Sequence, residues 1–167
     1  RTVVLRLPAG STESDTALAI TGGADVALSG FRIIGDAATP LGTGISVTNA
    51  RVRLDDVEIT GASGAALDFG AGGAGWVVAA SVHDNPGPAV RVRAGASPSI
   101  VHSVFARNGT SAAAPGIVVS EPGSRATFAD NVFAGTRPES LAGVNPLTNW
   151  FPADSTARST PPRRTPR

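Results

Sequence analysis

Apolar residues separated by one position recur along the chain as Leu18/Ile20, Ile45/Val47, Leu67/Phe69, Val90/Val92 and Ile117/Val119, spaced by 27, 22, 23 and 27 residues. A second apolar series follows each pair by about ten residues: Leu28 and Ile33, Leu54 and Ile59, Val77 and Val82, Ile100 and Phe105, Phe128 and Phe133. Alternation with period two marks a strand with one buried face, and segments of four or five residues leave no room for helices. Gly and Pro clusters such as Gly61–Gly64, Pro86–Pro88 and Pro122–Gly123 fall between the segments. Each unit of 22 to 28 residues therefore holds at least two short strands and two turns, and one unit makes one coil of a solenoid. Stacked coils place like side chains about 4.8 Å apart and build a continuous aliphatic interior that no isolated coil supplies.

In this register the second series aligns Asp36, Ala62, Asn85, Asn108 and Thr136 in one column. The outward face of the first strand column carries Ala19, Ser46, Asp68, Arg91 and Val118, then Thr21, Thr48, Gly70, Arg93 and Ser120.

The wording "SPSIVHSVFARNGT" (Ser97 to Thr110), with its relatives "GWVVAASVHDNPG" and "RATFADNVFAG", resembles the right-handed parallel β-helix repeats of the pectin-lyase-like superfamily over roughly Val3 to Phe133. It is also similar to β-helix segments appended to some bacterial serine/threonine protein kinases and envelope proteins. The resemblance implies an all-β, single-stranded right-handed parallel β-helix of about five coils, and, because stacked Asn or Thr side chains bond the turn backbone in such solenoids, a structural role for Asn85 and Asn108. A left-handed helix would show a hexapeptide period, which is absent; a β-sandwich is the competing architecture.

The 167 residues fit one domain. With 20 Gly, 13 Pro and 5% aromatics, turns are frequent and the core is built from small aliphatics. Without Cys there is no disulfide framework and no thiolate metal site. The net charge of +1 gives no global attraction to nucleic acid, which is not expected as a partner. The basic excess is local: from residue 153 onward Arg158, Arg163, Arg164 and Arg167 stand against Asp154, leaving 10 Arg and 12 acids before it. No apolar run reaches the roughly 20 residues that cross a bilayer, so no membrane insertion is expected.

Residues 1–151 are thus expected to form the β-helix with a C-terminal cap of Leu141, Val144, Leu147, Trp150 and Phe151, and 152–167 a disordered Pro/Arg-rich tail. The opening strand "TVVLRL" carries no cap, and the chain starts at Arg1 with no Met. Further coils, another domain or a partner chain are expected to cover that edge.

Several strings suggest chemistry. Gly70 to Gly75 matches GxGxxG, but a strand follows where dinucleotide binding needs a helix N-terminus, so a turn is expected. Asp55, Asp56 and Glu58 form an acidic cluster of the type that binds Ca²⁺ in some lyases of this fold. Arg32, one coil before Glu58, explains that cluster better as an ion pair, and no metal or other cofactor is expected. His102 shares a column with Asp130, which predicts a hydrogen-bonded pair of structural character, with Ser103 pointing inward rather than serving as a nucleophile. Asp68, Arg91 and Arg93 are the candidate ligand-binding residues, suited to an acidic sugar or phosphate; an Asp68–Arg91 ion pair is the plainer alternative. With one acid in that column, no paired catalytic Asp is present and no catalytic residue is assigned. Only Thr21 and Thr48 align, which excludes an ice-binding array.

The function expected from these features is a non-catalytic β-helix module of a larger bacterial protein, binding, sensing or spacing, with a glycan or acidic ligand as partner, outside the cytoplasm. The alternatives are a fragment of a polysaccharide lyase or glycoside hydrolase, and a self-assembling domain that stacks end to end.

Overall fold

A computed structural model of the chain describes residues 3–112, 116–135, 141 and 143–152. All regular structure among them is β: β1 (Val3–Leu5), β2 (Thr16–Thr21), β3 (Asp25–Ile34), β4 (Leu41–Thr48), β5 (Arg51–Thr60), β6 (Ala62–Phe69), β7 (Ala74–Val78), β8 (Ser81–His83), β9 (Val90–Val92), β10 (Ser97–Val101), β11 (Val104–Ala106), β12 (Val118–Ser120), β13 (Thr127–Ala129) and β14 (Val132–Ala134). All pairings are parallel. One sheet stacks β2, β4, β6, β9 and β12; the other stacks β3 and β5 and continues as the strand pairs β7/β8, β10/β11 and β13/β14. Each coil contributes one rung to each sheet, which makes a parallel β-solenoid of five turns.

The register follows the sequence period closely. Leu28, Leu54, Val77, Ile100 and Phe128 form one stack, and Ile33, Ile59, Val82, Phe105 and Phe133 another. From Leu54 and Ile59 through Phe105 and Phe133 these side chains are almost wholly enclosed, joined by Ile45, Leu67 and Val90 from the opposite sheet. One rung departs from expectation. Val90 pairs with Val118, not Ile117, so Val118 turns inward and Val119 takes the outward place above Arg91. Ile117, Val118 and Val119 are all apolar, so alternation there cannot choose between two registers.

The longer sheet bends at stacked left-handed residues. Gly30, Asp56, Ala79, His102 and Asp130 occupy one column with φ of 69°, 52°, 53°, 51° and 56°, and Gly61, Asp84, Arg107 and Gly135 a second with 78°, 54°, 53° and 72°. A non-glycine residue in this region costs about 1–2 kcal/mol, so something must hold each corner.

That something is a side-chain ladder directly after each column. Asn85 Oδ1 accepts from Ala62 N (2.8 Å) while its Nδ2 donates to Ile59 O (3.1 Å). Asn108 repeats this one coil on, accepting from Asn85 N and donating to Val82 O at 2.8 Å. At the other corner Ser103 Oγ accepts from Ala80 N (3.1 Å), Asn131 accepts from Ser103 N (2.9 Å) and donates to Ile100 O (2.8 Å), and Asn149 accepts from Asn131 N and donates to Phe128 O. Asn85, Ser103 and Asn131 are fully buried. The side-chain amides thus bridge adjacent coils where the turned backbone cannot. Thr136, placed in the Asn85 column by sequence, lies outside the described residues.

The C-terminal end is closed by a different subset of residues from the one expected. Leu141 and Val144 are buried, and Phe151 stacks on Phe133 at 5.4 Å, continuing the Phe105–Phe133 stack at 4.9 Å. Leu147 and Trp150 instead face solvent, 92% and 66% exposed. Trp150 contributes its backbone: it bridges Val132 in parallel, and its carbonyl accepts from Phe133 N. A rung seated by its main chain turns alternate side chains outward, so an apolar composition overestimates the cap. At the other end β1 pairs with Phe31–Ile33, leaving Val3, Val4 and Leu5 exposed. Of the expected tail 152–167, only Pro152 is described.

Candidate functional site

On the outer face of β6 and β9 the strand register sets Asp68 beside Arg91. The stronger contact comes from Arg93 at the end of β9. Its Nε reaches Asp68 Oδ1 at 3.0 Å and its Nη2 reaches Oδ2 at 2.8 Å, a two-pronged pair, while Arg91 Nη1 stays 3.7 Å away. Asp68 itself is only 8% exposed. Glu121, above Arg93 in the shifted register, accepts from Ala94 N and adds a second acid. The three residues assigned to ligand binding are therefore brought together, but mainly to satisfy one another.

The acidic cluster Asp55, Asp56 and Glu58 is dispersed by the same geometry. Asp55 pairs with Arg53 (Nε to Oδ2, 2.6 Å), Glu58 pairs with Arg32 across the β3/β5 register, and Asp56 sits at the exposed left-handed corner. No group of three or more His, Cys, Asp or Glu placed to hold a metal ion occurs among the described residues.

On the outer face the expected Arg32–Glu58 pair is continued, from β8 to the turns after β8 and β11, by His83, Asp84 and Arg107, an extension that sequence reading missed. His83 Nε2 lies 3.5 Å from Glu58 Oε1 and its Nδ1 is 2.7 Å from Asp84 Oδ2; Arg107 meets Asp84 through Nε (2.5 Å) and Nη2 (2.7 Å). The Arg107 guanidinium, and then His83, hold the Asp84 carboxyl well below the ordinary carboxylate range. A cavity of about 540 Å³ lies alongside, lined by Asp84, Arg107, Asn108, Thr110 and Ile117 among others. Column neighbours one residue apart in the outward set were the available signal, masked because Asp84 and Arg107 lie in turns.

His102 and Asp130 do share a column, but no hydrogen bond joins them; both are exposed. Each occupies a left-handed position (φ 51° and 56°), which directs the side chain into solvent instead of along the sheet. Ser103 is wholly buried, with its hydroxyl spent on Val101 O. The glycine run forms a turn closed by Gly73 N to Gly70 O at 2.9 Å and leads into β7.

Compared with protein-family models, curated proteins and solved structures, the chain matches none.

Proposed function

We propose that this chain is a non-catalytic binding module of the parallel β-helix type, presenting a glycan- or acid-recognising face on a rigid stack of coils. One observation carries the reading: Asp36, Asp55, Glu58, Asp68 and Asp84 each face a guanidinium, from Arg6, Arg53, Arg32, Arg93 and Arg107 respectively. A carboxylate held by a guanidinium is occupied by that partner, whereas general acid–base catalysis needs a group free to reach the substrate. The strands that carry these pairs are hydrogen-bonded into two continuous sheets, a rigid face of the kind that suits recognition of a polar polymer. The placement of the module in a larger bacterial protein outside the cytoplasm belongs to the same proposal, supported by the likeness of the repeat wording to β-helix segments appended to bacterial protein kinases and envelope proteins. The test is incubation with a library of neutral and acidic polysaccharides while both retention and new reducing ends are followed. Retention without product supports the module; product formation lost on Asp68→Asn or Arg91→Gln establishes the lyase or hydrolase alternative.

A second reading, end-to-end assembly, is favoured by the exposed apolar rung Val3–Leu5 beside the open edge of β3. Sedimentation at rising concentration decides it: a mass that stays at 16.7 kDa counts against assembly.

A further inference from the structure

The outer face of the longer sheet carries a feature none of the assigned residues touches. Trp76, in the middle of β7, projects from a hydrogen-bonded strand between Arg53 and Ser99 and is 49% exposed. An indole left half in water on a paired strand presents a flat apolar face with a polar N–H edge, the side-chain chemistry enriched at contact surfaces. Its strand cannot shift. Gly75 has φ of 129°, and a Cβ there would come within 1.8 Å of Val52 O, so β7 lies tight against β5.

Beside the indole is a concavity of about 240 Å³ lined by Arg51, Ala74, Gly75, Trp76, Ser97 and Ser99. Among the described residues the Arg51 guanidinium has no ion pair and no side-chain hydrogen bond, in contrast to Arg6, Arg32, Arg53, Arg91, Arg93 and Arg107. The Ser97 and Ser99 hydroxyls make no side-chain hydrogen bond either. Asp25 stands in the rung before Arg51 without pairing to it, and Arg125 in the rung after Ser97 is likewise without a carboxylate. A flat apolar ring, one unspent cation and two unspent hydroxyls therefore converge on one preformed hollow.

We propose that this hollow binds one residue of an anionic saccharide: the sugar's C–H face stacks on Trp76, its carboxylate or sulfate is held by Arg51, and ring hydroxyls reach Ser97 and Ser99. Resting on the glycan-binding reading above, the assignment moves recognition from the Asp68 face to the Trp76 face. A single-stranded nucleic acid fits less well, because successive bases need successive aromatic platforms and a continuous cationic groove. Here one aromatic stands alone, Asp55 neutralises Arg53, and Asp25 flanks Arg51.

The test is titration of the whole chain with a hyaluronan hexasaccharide, cellohexaose and oligothymidylate by calorimetry and tryptophan fluorescence, with circular dichroism confirming that each variant is folded. The expected result is hyaluronan binding that perturbs the indole emission and weakens about tenfold or more in Trp76→Ala and in Arg51→Gln, but stays unchanged in the surface control Arg6→Gln; cellohexaose binds more weakly. Hyaluronan binding lost in Arg93→Gln and kept in Trp76→Ala overturns the site and leaves the glycan reading standing. Tighter binding of oligothymidylate overturns the ligand class. Failure of every saccharide, across the wider library as well, overturns both the site and the reading beneath it.

Discussion

The side-chain amide Nδ2 of Asn85 donates to Oδ1 of Asn108, one coil on, at 2.8 Å. That single bond summarises how the corners are built. Every ladder Asn accepts a hydrogen bond from the backbone N–H of its counterpart in the previous coil and donates one to the carbonyl three residues before that counterpart: Asn85 to Ile59, Asn108 to Val82, Asn131 to Ile100 and Asn149 to Phe128. Where a left-handed residue turns the main chain out of register, the side chain restores both missing bonds.

Removing Asn131 tests this directly. Asn131→Ala strips partners from Ser103 N, Ile100 O and the Asn149 amide together. Buried groups left unsatisfied cost about 1–3 kcal/mol each, so urea unfolding should show a loss of about 2–4 kcal/mol. Asn131→Asp keeps the acceptor for Ser103 N but loses the donor and buries a charge, and is expected to rescue nothing.

Gly75→Ala is expected to be the most damaging single-methyl change in the coil stack. The added Cβ meets backbone at 1.8 Å and the residue is held at φ 129°, so either β7 separates from β5 or the rung unwinds. A loss of about 3 kcal/mol or more in chemical denaturation follows. Gly95→Ala shares the positive φ but meets nothing within 4 Å, and should cost only about 1–2 kcal/mol.

The C-terminal aromatic stack predicts that Phe133→Ala destabilises by about 3–5 kcal/mol, because Phe133 is fully buried between Phe105 and Phe151. Leu147→Ala, at an exposed position, should change the unfolding midpoint little.

Acid sensitivity follows from Asp84. Its folded-state pKa lies below the unfolded value of about 3.9. The stability it contributes is therefore fully present above about pH 4 and is lost as pH falls through the folded value. Arg107→Gln removes the larger cause, so an NMR titration of the Asp84 carboxyl should move up toward the ordinary range. The fall in urea midpoint between about pH 6 and pH 2.5 should be smaller in the variant than in the parent.

The fold was legible because aliphatic residues at period two and a coil length near 23 residues are direct consequences of stacking strands. Leu28 through Phe128 and Ile33 through Phe133 fall where the alternation puts them. The Val118 rung slipped because three consecutive apolar residues carry no alternation. The left-handed columns were hidden because Ala79, His102 and Arg107 lack the composition that announces such turns, their cost being met by ladders from the next coil. The Ser103–Asn131–Asn149 ladder escaped notice since its members differ in type, whereas Asn85 and Asn108 match. Site residues were less legible still: Asp68, Arg91 and Arg93 stood out by charge, and charge is what they use on one another, while Trp76 and Arg51 belong to no recognisable string.

The central claim is that the chain is a rigid solenoid whose corners are locked by side-chain ladders, leaving its outer faces fixed for recognition. Native-state amide hydrogen exchange measures this most directly at Ala62, Ala80 and Ser103, whose N–H groups lie at the bends and donate to side chains. The account predicts protection comparable to that of Leu54 and Ile100 within the strands, with Ser103 alone released to fast exchange in Asn131→Ala under conditions where the variant stays folded. Corner amides that exchange in the parent as fast as those of the exposed turn residues Gly10 and Gly22 would contradict it.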